Sequence, residues 1–328
     1  MSFSLSSLDR RWILPLFALA AILLANLLLS PGFFAVRMVD GHFYGSVIDI
    51  VHRATPLAFV ALGMAVVIAT GGIDLSVGAI IAICGATAAV LLRATELSPA
   101  LILLIALGVG MLCGIWNGFL VAFLDIQPIV ATLILMVAGR GIAQMITGGQ
   151  IITFHSDLMS FLGSGYLLAL PVRVLLMAAF ALALGLILRR TALGLFLEAV
   201  GGNAAASRLA GIDARWVRLS AYALSGLCSA CAGIILTADI RGADANNAGL
   251  WLELDAILAV VIGGAALKGG RFGLGLTLIG ALVIQSLTTS ILVSGLPPQY
   301  TLVVKALVIL AVLFLQSPRL GSIRFGRG

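Results

Sequence analysis

Thr70-Gly-Gly-Ile-Asp-Leu-Ser-Val-Gly78 separates two apolar runs, 54–70 and 75–92, neither of which holds an Asp, Glu, Lys or Arg outside that stretch. Each run is close to the ~17–25 residues that a helix needs to cross a bilayer. Gly71 and Gly72 end the first helix, because glycine takes the left-handed backbone that closes a helix. Asp74 and Ser76 stand where the second helix begins and can cap its free amides. A second stretch has the same design: Ile262-Gly-Gly-Ala-Ala-Leu-Lys-Gly-Gly-Arg-Phe-Gly-Leu-Gly275. Each follows a Val-Val-Ile segment and precedes another long apolar run. Such matched interruptions predict an internal inverted repeat with two broken-helix segments. A plain tight turn at the membrane surface would use the same residues.

Composition extends this reading to the whole chain. Of 328 residues, 62% are apolar and 10% charged, and the mean hydropathy is +1.20. Soluble domains run near ~45–50% apolar and ~25% charged, so a soluble enzyme, a disordered chain and a collagen-like chain are excluded. The apolar content could supply about ten spans of ~20 residues, leaving little for an extramembrane domain. The expected fold class is therefore an all-α polytopic membrane protein of about ten transmembrane helices, in a single domain, 1–328. The candidate spans are 12–32, 54–70, 75–92, 99–122, 129–147, 171–188, 218–239, 252–266, 272–294 and 301–316. The first, behind Arg10-Arg11, is too long for a signal-peptide core and reads as an uncleaved helix.

The charges orient these spans. With the N-terminus in the cytoplasm, inside segments hold 12 Lys and Arg residues and outside segments hold 5, as the positive-inside rule requires. Both termini are then cytoplasmic, and the longest inside loop is about 189–217. The net charge of +6 is a topology signal, so nucleic acid is not expected as a partner.

The residues of metal and nucleophile chemistry are sparse. Cys228-Ser-Ala-Cys231 has the spacing of a redox or metal pair. With no His or second pair near it, it reads better as small residues helping helices to pack. The three histidines fall in outside loops, and no GxxxxGK[ST] or HExxH occurs. No catalytic residue, metal ligand or cofactor is expected on this chain, and a P-loop for ATP is absent. Gly110, Gly114 and Gly118, spaced four apart, fit close helix packing.

Ionisable groups within spans are costly and point to function. Asp74 and Ser76 are pore or gate candidates, or helix caps only. Glu253 and Asp255, two apart, lie ~200° apart around a helix and do not face each other, which argues against a paired-carboxylate acid–base site. They suit an outer gate, a docking surface, or a solvated helix start. The outside loop Arg241-Gly-Ala-Asp-Ala-Asn-Asn-Ala-Gly249 is rich in turn formers. In the inside loop, Asn203 should cap a short helix, 204–210, that Gly211 stops. This helix could enter a groove on a cytoplasmic protein or lie on lipid headgroups; its small residues favour the groove.

Thr70–Gly78, Ala199-Val-Gly-Gly-Asn203 and Ala210-Gly-Ile212 resemble the signatures of permease subunits in ribose-type sugar ABC importers. Arg241–Gly264, Val130–Gly141 and Gly45–Asp49 resemble the galactofuranose-transporting members of that family. The resemblance implies a multi-pass permease of a bacterial inner membrane that imports a monosaccharide, galactofuranose or a related sugar, by alternating access. It implies a second permease chain, identical or paralogous, a cytoplasmic ATPase subunit that uses the ATP, and a periplasmic sugar-binding protein. By the same resemblance Glu198, Ala199, Gly201, Asn203 and Gly211 belong to the ATPase-coupling loop. Arg241, Asp244, Asn246 and Asn247, with segment 148–170, would meet the binding protein, and Asn117 joins Asp74 as a pore candidate. Lys268 departs from the pattern at the second break, where a cation sits at the variable position of Gly-Gly-x-x-Leu-x-Gly-Gly. The rival reading is an autonomous secondary transporter or channel for a small neutral solute.

Overall fold

The computed structural model describes residues 10–310, apart from 30–31, 40, 168, 296–299, 301 and 308–309. It is helical, with strands confined to short two-stranded pairings. In chain order the helices are α1 (Arg10–Leu29), α2 (Ser46–Ala69), α3 (Val77–Ala94), α4 (Pro99–Ala122), α5 (Pro128–Thr147), α6 (Asp157–Ser164), α7 (Val172–Arg190), α8 (Ala192–Gly202), α9 (Ala204–Leu209), α10 (Ala214–Ile240), α11 (Leu252–Ile262) and α12 (Leu274–Val293). Among the described residues seven helices are long and apolar enough to cross a membrane: α2, α3, α4, α5, α7, α10 and α12.

α2 is the axis of the molecule, buried from Ala54 to Ala69. It starts eight residues before the expected 54, because Asp49 and Arg53 form an i,i+4 pair at 2.8 Å that adds turns above the apolar run. Pro56 lies inside it. A helical proline leaves the carbonyl four residues earlier without its donor. That carbonyl belongs to His52, and the Thr55 hydroxyl donates to it at 2.8 Å. Around α2, a core of Val60, Met64, Ile68, Ala256, Val260 and Ile284 joins it to α11 and α12. Asn26 donates to Ser290 Oγ at 2.6 Å and ties α1 to α12.

α10 packs against α4 backbone to backbone. A Cβ on Gly110, Gly114 or Gly118 would strike Gly226 and Ala230, Tyr222, or Leu219, respectively. Lipid tails are as apolar as leucine, so such helices associate through close van der Waals contact rather than a hydrophobic drive. Cys228 lies over Gly63 of α2, and all four cysteines are free thiols. The outward faces of α4, α5 and α7 expose Leu104, Leu112, Val137 and Leu182, the pattern of helices that meet lipid.

The ten spans expected from the sequence are corrected in two places, and the last of them lies mostly outside the described residues. The run 252–266 is helical only to Ile262, at 11 residues about 16 Å long, half the hydrocarbon thickness. Gly263 and Gly264 end it, the latter at φ +82°. The run 75–92 becomes helical only at Val77, because Asp74–Ser76 form a turn of their own. In the last run, 302–307 are helical, whereas 311–316 and Arg319, Arg324 and Arg327 lie outside the described residues.

Candidate functional site

The first break, 70–76, is organised by Asp74. Its Oδ1 accepts from the Ser76 amide at 3.0 Å and the Ser76 hydroxyl at 2.6 Å. Its Oδ2 accepts from Ser225 Oγ of α10 at 2.8 Å. Asn117 of α4 donates to Ser76 Oγ at 2.7 Å. Thr132 of α5 and Tyr222 of α10 each donate to the Ile73 carbonyl at 3.4 Å. Asp74, Ser76 and Asn117 are fully buried. The Asp74 carboxyl thus reaches the start of α3 and α10 directly, and α4 through Ser76, with no ion-pair partner among the described residues. Burying such a group is tolerable only because hydrogen bonds replace its water. Ser76 occupies the N-cap position but makes no side-chain cap; its hydroxyl is turned to Asp74. Ser225, Tyr222 and Thr132 were not singled out from the sequence. The signal available was Tyr222, Ser225 and Ser229, polar at helical spacing within the apolar middle of α10.

The second break, 263–273, lies against the first. The Gly270 amide donates to the Ala69 carbonyl at 2.9 Å. A Cβ on Gly269 (φ +92°) would sit 2.8 Å from both the Gly201 carbonyl and the Gly71 amide. A Cβ on Gly201 would collide with the Ala69 carbonyl and the Gly270 amide. Three segments therefore meet with no side chains between them: the end of α2, the second break and the end of α8. Lys268 is exposed and faces this seam only through its carbonyl, so a cation is tolerated there.

The inside loop contains α8 and α9 in place of the single short helix expected. Asn203 caps α9, accepting from the Ala206 amide at 3.0 Å. The helix ends at Leu209, one residue earlier than expected, and Gly211 turns the chain at φ +83°. Glu198 and Ala199 are half-buried on α8, while Asn203 and Gly211 are exposed. Leu209 is 92% exposed, a bare leucine at the tip of the loop that the sequence reading passed over.

The acids of α11 face apart, as the helix geometry requires. Glu253 is buried against Gly78 of α3. Asp255 pairs with Lys305 at 2.8 Å. In the loop 241–249, Asp244 Oδ1 accepts from the Asn246 and Asn247 amides at 3.0 and 3.2 Å, and Oδ2 from the Asn247 side chain at 2.8 Å. The Asn247 side chain, first among these donors, holds the Asp244 carboxyl below its usual range. Gln144 donates to Asn246 Oδ1 at 2.8 Å, and Ile152–Thr153 pairs antiparallel with Gly242–Ala243. Arg140 donates to the Ala245 and Ala248 carbonyls at 3.1 and 2.6 Å. The two outside segments singled out from the sequence thus form one platform, with Arg241, Asn246 and Asn247 exposed. Among the described residues no three His, Cys, Asp or Glu side chains are grouped to hold a metal ion.

The model of a family described as branched-chain amino acid transport system / permease component matches residues 46–313. The chain belongs to this permease family. It is a multi-pass membrane subunit of a transport system, not an enzyme. The permease is 58% identical over 308 residues to the galactofuranose transporter permease protein YtfT of Escherichia coli K12, covering 94% of this chain and 90% of that one. It is 37% identical over 287 residues to the fructose import permease FruF of Bifidobacterium longum, covering 86% and 80%. It is 36% identical over 308 residues to the ribose import permease RbsC of Escherichia coli K12, covering 93% of each chain. No solved structure matches the permease.

Proposed function

We propose that this permease forms the translocation path of an ATP-driven monosaccharide importer in a bacterial inner membrane, with galactofuranose or a closely related sugar as substrate. The observation that carries the mechanism is the glycine seam. It joins the inside loop, α8–α9, directly to both helix breaks, so a force on that loop reaches both without side chains to absorb it. The names and identities of the three relatives support a sugar as the cargo.

The chain, 1–328, is one transmembrane domain of about ten membrane helices, α11 entering only part-way, with an inverted repeat and both termini in the cytoplasm. It binds no cofactor; ATP is used by a separate subunit. That subunit docks on the inside loop through Glu198, Ala199, Gly201, Asn203 and Gly211, with Leu209 as the apolar knob. A binding protein delivers sugar to the outer platform of Arg241, Asp244, Asn246 and Asn247. A second permease chain, a copy or a paralogue, completes the path. Asp74, Ser76, Asn117, Glu253 and Asp255 are gate residues. Their burial represents a closed gate, and the seam pulls the breaks apart when the ATPase closes.

The test is reconstitution in liposomes with the ATPase and binding protein. Labelled sugar should accumulate only with ATP and both partners. Uptake by the permease alone, without ATP, would instead identify an autonomous transporter.

A further inference from the structure

A cavity of about 260 Å³ opens at the inner end of the first break. Its walls include Thr70, Asp125, Gln127, Arg218 and Tyr222. They come from the break, the α4–α5 turn and the first turns of α10. By the positive-inside distribution this is the cytoplasmic side.

Its charged and amide side chains are unengaged. Asp125, Gln127 and Arg218 make no hydrogen bond or ion pair among the described residues. Asp125 is held in the left-handed region at φ +54°, which Asp tolerates better than most residues. The Ile126 amide, bonded to the Leu120 carbonyl at 3.1 Å, pins that turn. Gln127 occupies the N-cap position of α5, yet its side chain makes no capping bond. Together these supply a carboxylate acceptor, an amide that both donates and accepts, and a five-donor guanidinium. One positive and one negative group cancel, so the lining suits a neutral ligand rather than an ion. Tyr222 closes the floor of the cavity; it is fully buried, and its hydroxyl is tied to Ile73. Convergent polar groups around an apolar face are what a small polyhydroxylated ligand requires.

We infer that this cavity is an inward-facing monosaccharide site, built from Asp125, Gln127 and Arg218 over the floor of Tyr222. Sugar rests there on release, and cytoplasmic sugar returns to it and holds the permease inward-facing. Through Tyr222, which donates to the Ile73 carbonyl at 3.4 Å, the site reaches the residue preceding Asp74. Occupancy therefore bears on the gate directly. The inference rests on the importer reading for the identity of the ligand class.

The test uses the full chain carrying Ile126→Cys, a wall position whose side chain is not among the proposed sugar-binding groups, with Cys113 and Cys231 replaced by Ser, in inside-out vesicles. A membrane-impermeant maleimide reports how fast the thiol introduced by Ile126→Cys is modified. Millimolar D-galactose should slow that rate at least threefold. Adding Arg218→Gln or Asp125→Asn should abolish the protection, and Arg218→Lys should restore part of it. No protection at saturating D-galactose overturns the site. So does protection that survives both variants, or protection by inorganic phosphate instead of sugar. The importer reading fails separately: protection intact in a chain that imports no sugar with its ATPase sinks that reading and leaves this site standing.

Discussion

The amide of Gly270 donates to the carbonyl of Ala69 at 2.9 Å, joining the two helix breaks across 201 positions of chain. Gly201 of α8 lies on the same bond. A helix end leaves carbonyls without partners. Here one of them is satisfied by the other half of the protein, and the contact sits where the inside loop arrives.

Gly201→Leu should therefore uncouple transport. Any side chain at Gly201 displaces Ala69 or Gly270, and overpacking of this kind costs ~1–3 kcal/mol. At ATPase concentrations that saturate docking, the reconstituted variant should still hydrolyse ATP, with sugar uptake reduced at least tenfold. Uptake per ATP equal to the unmodified permease would remove the seam from the mechanism.

Leu209→Ala tests the knob. Leu209 is 92% exposed, so the fold should change by no more than ~0.5 kcal/mol. An anchoring leucine in a partner groove is worth ~1–3 kcal/mol, or roughly ten- to hundredfold in affinity. Binding of the purified ATPase subunit, measured by surface titration, should weaken by that factor while the thermal midpoint holds.

Ser225→Ala leaves Asp74 Oδ2 buried without its donor. Stranding a buried acceptor costs ~1–3 kcal/mol. The thermal midpoint in detergent should fall, and Ser225→Thr, which keeps a hydroxyl, should recover much of the loss. An unchanged midpoint in the alanine variant would show that the cluster does not brace the first break.

The Asp255–Lys305 pair is mostly buried, with side chains 19% and 12% exposed. Removing one partner of such a pair leaves a charge uncompensated, which costs up to ~3–5 kcal/mol and less where water reaches it. Asp255→Asn or Lys305→Met alone should lower the thermal midpoint. The double variant should be closer to the unmodified protein than either single one. Additive losses would mean that the pair is not coupled.

Asp244 makes a prediction about pH. Its carboxyl is held below the usual range by Asn247, so its folded pKa lies below its unfolded pKa. The turn's stabilisation is then present above the unfolded value and is lost as pH falls through the folded value. Binding-protein docking should be flat in its Asp244 dependence between about pH 5 and 8, where a free carboxylate is already ionised. Asp244→Asn should weaken docking equally across that range. A loss confined to the acid end would contradict the turn geometry.

Several local features were legible because they depend on neighbours in sequence. Asn203 caps its helix and Gly211 stops it, since both roles are set by backbone groups within four residues. Gly71 at φ +80° and Gly264 at φ +82° turn the chain where their glycine pairs said it would turn. Glu253 and Asp255 face apart because a helix rotates them so. The length of α11 was misjudged, because hydropathy continues through Gly263–Ala266 while the backbone does not. The partners of Asp74 and of Asp255 were invisible: Ser225 and Lys305 lie 151 and 50 positions away.

By itself the sequence determined that this chain lives in a bilayer and where two of its helices break, and its charges gave an expected orientation. Those properties follow from hydrophobicity, charge placement and the conformational freedom of glycine, all summed locally along the chain. Only the tertiary structure decided that the two breaks touch each other and the inside loop, and that Asp74 is held by two hydroxyls and the Ser76 amide. It also decided that Asp125 and Arg218 share one cavity. Those are contacts between distant segments. Their geometry is set by how close glycine lets backbones approach, which no single segment encodes.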